Sequence, residues 1–491
     1  MLFNSYGFIF LYLPVTLVVF FWLARFGHAY SAAWLAAASL FFYGYWNPAF
    51  VGLLLVSIIC NYTFGMWIAK TLGQHGARRA KQLLVFAISA NLLLLGYYKY
   101  ANFFLTNINS AAGLQLSLGD IILPLGISFF TFTQIAFLVD TWQGKVKEYN
   151  FIHYTLFVTY FPHLIAGPVL HHSEMMPQFA LRNNYRVNWE NVANGLVLFT
   201  LGLCKKTLWA DSFAPYANAI FGGVLRGEMP TTYEAWCGAL AYTMQIYFDF
   251  SGYTDMALGI ALMFNIRLPI NFFSPYKASS IIEFWRTWHM TLSRFLRDYL
   301  YIPLGGNRKG KSRRYANLMA TMLLGGLWHG AGWTFACWGG LHGVYLMFNH
   351  LWREWLPDRP VRWIPVWLST LTGVTITFIA VVIAWVVFRS TDIFHANVML
   401  KAMAGIEARQ ISFADVIHGQ LLVSTNLRGR ELAILLVSAF AWVWVLPNST
   451  RIKFFQGGLV LSLVQAMAVV YFLYLAIDQF GSYSPFLYFQ F

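Results

Sequence analysis

Charge is what this sequence lacks most. Of its 491 residues only 11% are Asp, Glu, Lys or Arg, against about 25% in an ordinary soluble domain. That scarcity, with abundant apolar surface, excludes a disordered chain and argues against a soluble one. Cysteine is scarce as well. Cys60, Cys204, Cys237 and Cys337 lie far apart in apolar stretches and form no CxxC pair, which excludes a disulfide scaffold. There is no HExxH and no His, Asp and Cys set at metal-ligand spacing, so no metal is expected. Walker A, a GxGxxG after a strand and GxSxG are all missing, which leaves ATP, nicotinamide and nucleophile-elbow chemistry without a binding motif. No internal repeat is visible, so an inverted-repeat transporter loses support. Acidic residues are outnumbered, 19 against 33 Lys and Arg, for a net charge of +14. The basic residues sit between apolar runs, the pattern that orients membrane proteins, and no nucleic-acid motif accompanies them.

What is present is apolar: 58% hydrophobic residues, 19% aromatic, mean hydropathy +0.56. A bilayer span needs about 20 mostly apolar residues. Candidate runs are 6–25, 32–46, 49–69, 82–98, 118–139, 151–170, 191–209, 235–262, 315–350 (a tight hairpin), 364–388, 431–446 and 457–477. The first lacks a basic leader and a small-residue cleavage site and is expected to remain as a helix. Two loops are strongly basic, 70–81 and 308–314, and both are expected in the cytoplasm. Counting outward from them puts the N-terminus and the tail 478–491 outside. Between the loops the count does not close, so one run is re-entrant or one crossing is hidden. This middle region is interrupted by polar, Gly and Pro residues at 121–126, 161–168 and 248–255. Irregular backbone at membrane depth survives only where protein or a wet cavity surrounds it, which predicts an internal cavity.

Ionisable residues within lipid are costly and mark candidate sites. In Glu283-Phe-Trp-Arg-Thr-Trp-His289 and the residues that follow, a helix would put Trp285, Trp288, His289 and Leu292 on one face. Arg286, Ser293 and Arg297 would share another. The stretch reads as an interfacial helix whose arginines, including Arg294, meet lipid phosphates, with His289 facing inward. His329, in Gly325-Gly-Leu-Trp-His-Gly330, falls roughly 21 Å along a helix begun at 315, well inside a core of about 30 Å. The flanking glycines permit close approach of a ligand. A desolvated neutral imidazole there can serve as a general base; it can equally hydrogen-bond a neighbouring helix. His342 is read as packing or as support for that site, and His163 as structural or tunnel-lining. Asp249 and Asp255 are expected to bond exposed backbone, and Lys205 and Lys206 to snorkel. The tail Ser484-Pro-Phe-Leu-Tyr488-Phe-Gln-Phe491 reads as an aromatic interfacial anchor or as a segment folded into the outer mouth of the cavity, bringing the Tyr488 phenol near the site.

These blocks, with Tyr97-Tyr-Lys-Tyr-Ala-Asn102, Leu123-Pro-Leu-Gly-Ile-Ser-Phe129, Phe161-Pro-His-Leu-Ile-Ala-Gly-Pro168, Tyr247-Phe-Asp-Phe-Ser-Gly-Tyr-Thr-Asp-Met-Ala257 and Arg297-Asp-Tyr-Leu-Tyr-Ile-Pro-Leu-Gly-Gly-Asn307, resemble the membrane-bound O-acyltransferase family nearly end to end. The closer likeness is to its alginate and cellulose O-acetylation branch. The resemblance implies an all-α, polytopic membrane protein: a ring of about 11–13 tilted transmembrane and re-entrant helices around a central tunnel. It implies one integral-membrane domain over 1–491, with the aromatic tail 478–491 at the periplasmic face of a bacterial inner membrane. It makes His329 the catalytic histidine, His289 the second family histidine and Tyr488 a candidate acyl relay. Acetyl-CoA would be the cytoplasmic donor and a periplasmic polysaccharide O-acetyltransferase subunit the partner, and the product an O-acetylated exopolysaccharide such as alginate or cellulose. A thioester is already activated, so the chemistry needs neither ATP nor a metal. Two rivals stand beside this reading. One is a transporter of an acyl donor or polymer that does no chemistry; the other is a family member that moves D-alanyl or fatty acyl groups.

Overall fold

In a computed structural model the chain is described at residues 1–355, 365–410, 427, 429–452, 458–480 and 486–487. Every helix or strand among the described residues is a helix. In chain order they are α1 Leu13–Leu23, α2 His28–Gly44, α3 Ala49–His75, α4 Ala77–Leu95, α5 Ala101–Ala112, α6 Ile127–Trp142, α7 Phe151–Thr159, α8 Phe161–Leu164, α9 His172–Ala180 and α10 Trp189–Cys204. There follow α11 Asp211–Leu225, α12 Thr232–Met263, α13 Ile281–Thr287, α14 Met290–Leu296, α15 Lys311–His329, α16 Trp333–Trp355, α17 Val366–Arg389, α18 Ile393–Met403, α19 Gly429–Val445 and α20 Leu459–Asp478. Among the described residues four stretches are long and apolar enough to cross a membrane: Ala49–His75, Ala77–Ala112, Val366–Arg389 and Leu459–Asp478. The last presents Leu459, Val460, Met467 and Val470 outward, an exposed apolar face suited to lipid.

The chain divides into two compact units. The first holds Met1–Leu203, Tyr253–Ile270 and the described residues from 458 on. Here α3 and α4 form an antiparallel hairpin about Gly76, whose φ of +82° favours glycine. The basic stretch 70–81 is therefore this turn and the helix ends beside it, not a free loop. Ile68, Ala80, Leu84, Ala87 and Leu138 make a core where α6 meets both. At Gly65 a Cβ would lie 2.5 Å from the Phe137 ring, so only glycine admits that ring. Polar groups buried in this unit are joined to one another. Asn61 donates to Asn91 Oδ1 at 3.1 Å and Asn91 returns a bond to Asn61 Oδ1 at 2.6 Å. Gln134 donates to Ser57 at 2.9 Å and accepts from Tyr154 at 3.3 Å. The expected interruptions at 121–126 and 161–168 are present: α6 begins only at Ile127, and α7 and α8 are short. The one at 248–255 is absent. Those residues lie inside the continuous helix α12, because a single glycine, Gly252, is tolerated within a helix.

The second unit holds Cys204–Gly252 and the described residues of 271–452. Its centre is the expected hairpin, α15 and α16, reversed at Gly330–Gly332. Small residues let the two backbones touch. A Cβ on Gly326 would stand 2.2 Å from the Phe335 carbonyl, and one on Gly339 2.3 Å from that of Met322. At the basic end of the hairpin, Lys311 and Arg314 pair with Glu354 at 2.9 and 2.8 Å. α17 lies along α16, with Trp338 and Trp385 stacked at 5.6 Å. Lys205 and Lys206 do not snorkel. Both are buried; Lys206 pairs with Asp211 at 2.7 Å and Asp249 at 2.9 Å, and Lys205 donates to Ser449 at 3.2 Å. Carboxylates within reach make burial cheaper than extension to an interface. Asp249 thus serves an ion pair, not exposed backbone.

Candidate active site

The second unit brings His289 and His329 together. His329 is the last residue of α15, roughly 27 Å along the axis from Lys311. It stands at the turn of the hairpin, further from the basic end than a start at 315 implies. Its ring lies 5.0 Å from Trp328, 5.2 Å from Trp338 and 5.4 Å from Phe388. The His289 ring is 6.3 Å from that of His329, centre to centre. Phe250 lies edge-on to it at 4.8 Å and Trp328 at 6.0 Å. His289 is fully buried, while His329 keeps 7% of its surface. Two imidazoles therefore share one aromatic enclosure, where water is scarce and polar interactions are strong.

The single amphipathic helix expected across 283–301 is not what forms. α13 stops at Thr287, Trp288 is extended, and His289 takes φ +42° and ψ +51° before α14 begins at Met290. The common face of Trp285, Trp288, His289 and Leu292 is lost. Trp288 instead packs on Phe272 at 4.9 Å and Trp385 at 5.0 Å. Trp285 turns to His342, donating its indole N–H to Nδ1 at 3.3 Å. Arg297 is paired with Asp298 at 2.7 Å, while Arg286 is exposed.

A left-handed conformation at a non-glycine costs on the order of 1–3 kcal/mol and needs support, although histidine is among the side chains found there more often. Asn271 supplies the support. Its carbonyl accepts from Met290 N–H at 2.9 Å. Its side-chain oxygen accepts from Thr291 N–H at 3.2 Å, from the Thr291 hydroxyl at 2.8 Å and from His289 Nδ1 at 3.2 Å. Sequence reasoning passed over Asn271, since a lone Asn in the apolar run 268–273 carries no motif and its link to His289 is purely tertiary.

His342 is also fully buried and stacks on Phe284 at 6.0 Å and against Trp338 at 4.8 Å. Through Trp338 it touches the wall of the enclosure. His163 belongs to the first unit, buried in a tight turn beside Tyr160; a Cβ on Gly167 would stand 2.3 Å from its Cα. Tyr488 lies outside the described residues. Of the tail, Phe486 and Leu487 are buried, and the Phe486 ring stands 4.8 Å from Tyr253. Among the described residues no group of three or more His, Cys, Asp or Glu is placed to hold a metal ion.

The sequence profile of the membrane-bound O-acyltransferase family matches residues 40–387, a stretch that contains His289, His329, His342 and Asn271. The chain belongs to this family. It is 44% identical over 438 residues to a peptidoglycan O-acetyltransferase of Helicobacter pylori, covering 83% of this chain and 80% of that one. It is 38% identical to a probable alginate O-acetylase, AlgI, of Pseudomonas putida over the full length of both. A teichoic acid D-alanyltransferase of Streptococcus thermophilus is 27% identical over 54% of this chain and 68% of its own length. The protein is therefore a multi-pass, all-α membrane O-acyltransferase. The resemblance read from the sequence blocks is borne out at the level of family, fold class and reaction type.

Proposed function

We propose that this membrane O-acyltransferase takes acetyl from cytoplasmic acetyl-CoA and passes it across the bacterial inner membrane for O-acetylation of an envelope or exported polysaccharide, through a periplasmic partner subunit. The observation that carries the reading is the pair of buried imidazoles, His289 and His329, 6.3 Å apart within aromatic walls. The relatives named for glycan O-acetylation support acetyl as the acyl group, and they align over most of the chain. Alginate and cellulose are the polymers that the sequence blocks suggest; the name of the Helicobacter relative adds peptidoglycan to that class.

In this mechanism a hydroxyl oxygen attacks the thioester carbonyl while His329 takes the hydroxyl proton. The tetrahedral intermediate collapses with cleavage of the C–S bond. The departing thiolate is then protonated from the imidazolium, which restores neutral His329. The aromatic walls keep bulk water from competing as nucleophile. The hydroxyl belongs to the sugar, to a partner serine or to Tyr488 acting as relay. We read the whole chain, 1–491, as one integral-membrane domain around a central tunnel, with both termini and the tail 478–491 periplasmic. A donor entering beside the basic 308–314 end and an acceptor arriving from the other face follow from that topology.

The test is transfer of labelled acetyl in proteoliposomes containing the protein and its partner, with wild type and His329→Gln compared. Loss of transfer in a well-folded variant supports the enzyme. Retained transfer favours the transporter, in which this chain only moves a donor or polymer. Donor profiling with D-alanyl and long acyl thioesters decides the remaining alternative, and acetyl is expected to be preferred.

A further inference from the structure

We infer that Asn271 is a positioning residue that fixes His289 as its Nδ1–H tautomer, so that His289 offers the site a hydrogen-bond acceptor at Nε2 and no donor. The inference rests on the reading of His289 and His329 as the acyl-transfer site, and it specifies what the second histidine can do there.

The assignment follows from donor and acceptor accounting. A backbone N–H can only donate. The Asn271 side-chain atom facing Thr291 N–H at 3.2 Å is therefore the amide oxygen, not the nitrogen. Turning the amide over would set its NH2 against that N–H. The Thr291 hydroxyl, 2.8 Å from the same oxygen, fits as a further donor. His289 Nδ1 stands 3.2 Å from this oxygen, and an oxygen that only accepts requires a proton on Nδ1. A neutral imidazole has one N–H, so Nε2 carries the lone pair. That atom is buried and has no hydrogen-bond partner among the described residues.

His342 shows that this is a choice and not a default. An indole N–H is a donor only, and Trp285 donates to His342 Nδ1 at 3.3 Å. His342 therefore carries its proton on Nε2, the opposite tautomer, although it too is fully buried among aromatic rings. One neighbour sets each ring. Asn271 also grips the backbone at the strained point: its carbonyl accepts from Met290, the residue directly after the left-handed His289. Both ends of one asparagine thus hold residues 289–291 in a conformation the chain would otherwise leave.

The consequence is chemical. A neutral His289 with its lone pair at Nε2 can accept a hydrogen bond from a hydroxyl or thiol. It cannot donate one to the oxyanion of the tetrahedral intermediate. His289 therefore belongs to the proton-accepting side of the reaction, and stabilisation of the oxyanion falls to other donors.

The experiment is solid-state 15N spectroscopy of the full chain in lipid, labelled with [15N]histidine, with the His289 signals assigned by subtracting a His289→Gln sample. Wild type and Asn271→Asp, which keeps an acceptor at Nδ1, are expected to show Nδ1 protonated and Nε2 bare. Asn271→Ala is expected to lose the fixed tautomer and to lower turnover by roughly 10–100-fold, by analogy with the loss of a partner that orients a metal-ligating histidine, with KM for acetyl-CoA little changed. Asn271→Asp is expected to recover part of that turnover. A protonated Nε2 in wild type overturns the proposal, as does wild-type turnover in Asn271→Ala. If Asn271→Ala does not fold, the wild-type spectrum and Asn271→Asp decide. A wild type with Nδ1–H but no acyl transfer would strike down the functional reading and leave the tautomer assignment standing.

Discussion

Two buried polar clusters in this molecule are built on opposite terms. In the first unit, Ser57, Asn61, Asn91, Gln134 and Tyr154 bond to one another and to carbonyls one turn away, and none of their side-chain polar atoms is left without a partner. In the second unit, His289 Nε2, Asn271 Nδ2 and His342 Nε2 are equally buried and have no partner among the described residues. A satisfied network rigidifies a fold. An unsatisfied buried group costs about 1–3 kcal/mol, and His289 adds a left-handed backbone. Among the described residues the first unit also holds unpartnered buried atoms, on Thr131, Tyr160 and His163; what sets the enclosure around His329 apart is that such atoms gather there beside a left-handed backbone residue.

The contrast is open to attack by mutation. His289→Gln is expected to lower acetyl turnover by about 10²–10⁴-fold, the range for a general acid–base group. It removes one hydrogen bond, so unfolding should shift by no more than about 1.5 kcal/mol; steady-state assays and thermal melts on the same preparation measure both. The Lys206 cluster should behave in the opposite way. Lys206→Met leaves Asp249 and Asp211 without their shared cation and is expected to cost about 3–5 kcal/mol of stability. The folded fraction that remains should turn over normally. Asn61→Leu strands one polar group on Asn91 and is expected to cost about 1–3 kcal/mol. The double variant Asn61→Leu/Asn91→Leu should recover much of that loss, as urea or thermal unfolding would register. The smallest effect belongs to His342→Phe. It keeps the stacking but takes the acceptor from the half-buried Trp285 indole N–H, so stability should fall by no more than about 1.5 kcal/mol, with turnover nearly unchanged. A large loss of turnover in His342→Phe would move the boundary of the site outward by one ring.

Much of the fold is legible in the sequence. The 315–350 hairpin and the 364–388 span appear as α15, α16 and α17 because long apolar runs and clustered glycines declare themselves locally. Motif blocks pick out His289 and His329 as candidates, each beside a tryptophan; that their rings meet in one enclosure is read from the structure. What was hidden depends on contacts between distant positions. The periodicity of 283–301 runs smoothly through Trp288 and His289; nothing in it shows that Asn271 captures Met290 and Thr291 and breaks the helix there. The charge of Lys206 reads as a snorkelling residue until Asp249, on another helix, is seen beside it. Gly252 looked like a break and is not one, since helical neighbours on both sides carry it. Tyr488 falls outside the described residues, so its part in the mechanism rests on the motif.

The central claim is that the imidazole at the turn of the α15–α16 hairpin performs acyl transfer. Its most direct measurement is a single-turnover assay of labelled acetyl-CoA with purified wild type and His329→Gln, each first shown to melt at the same temperature and to bind the donor. The variant is expected to bind acetyl-CoA and to transfer at least about 10²-fold more slowly. Transfer within roughly tenfold of wild type, outside the range of a lost general base, would contradict the claim.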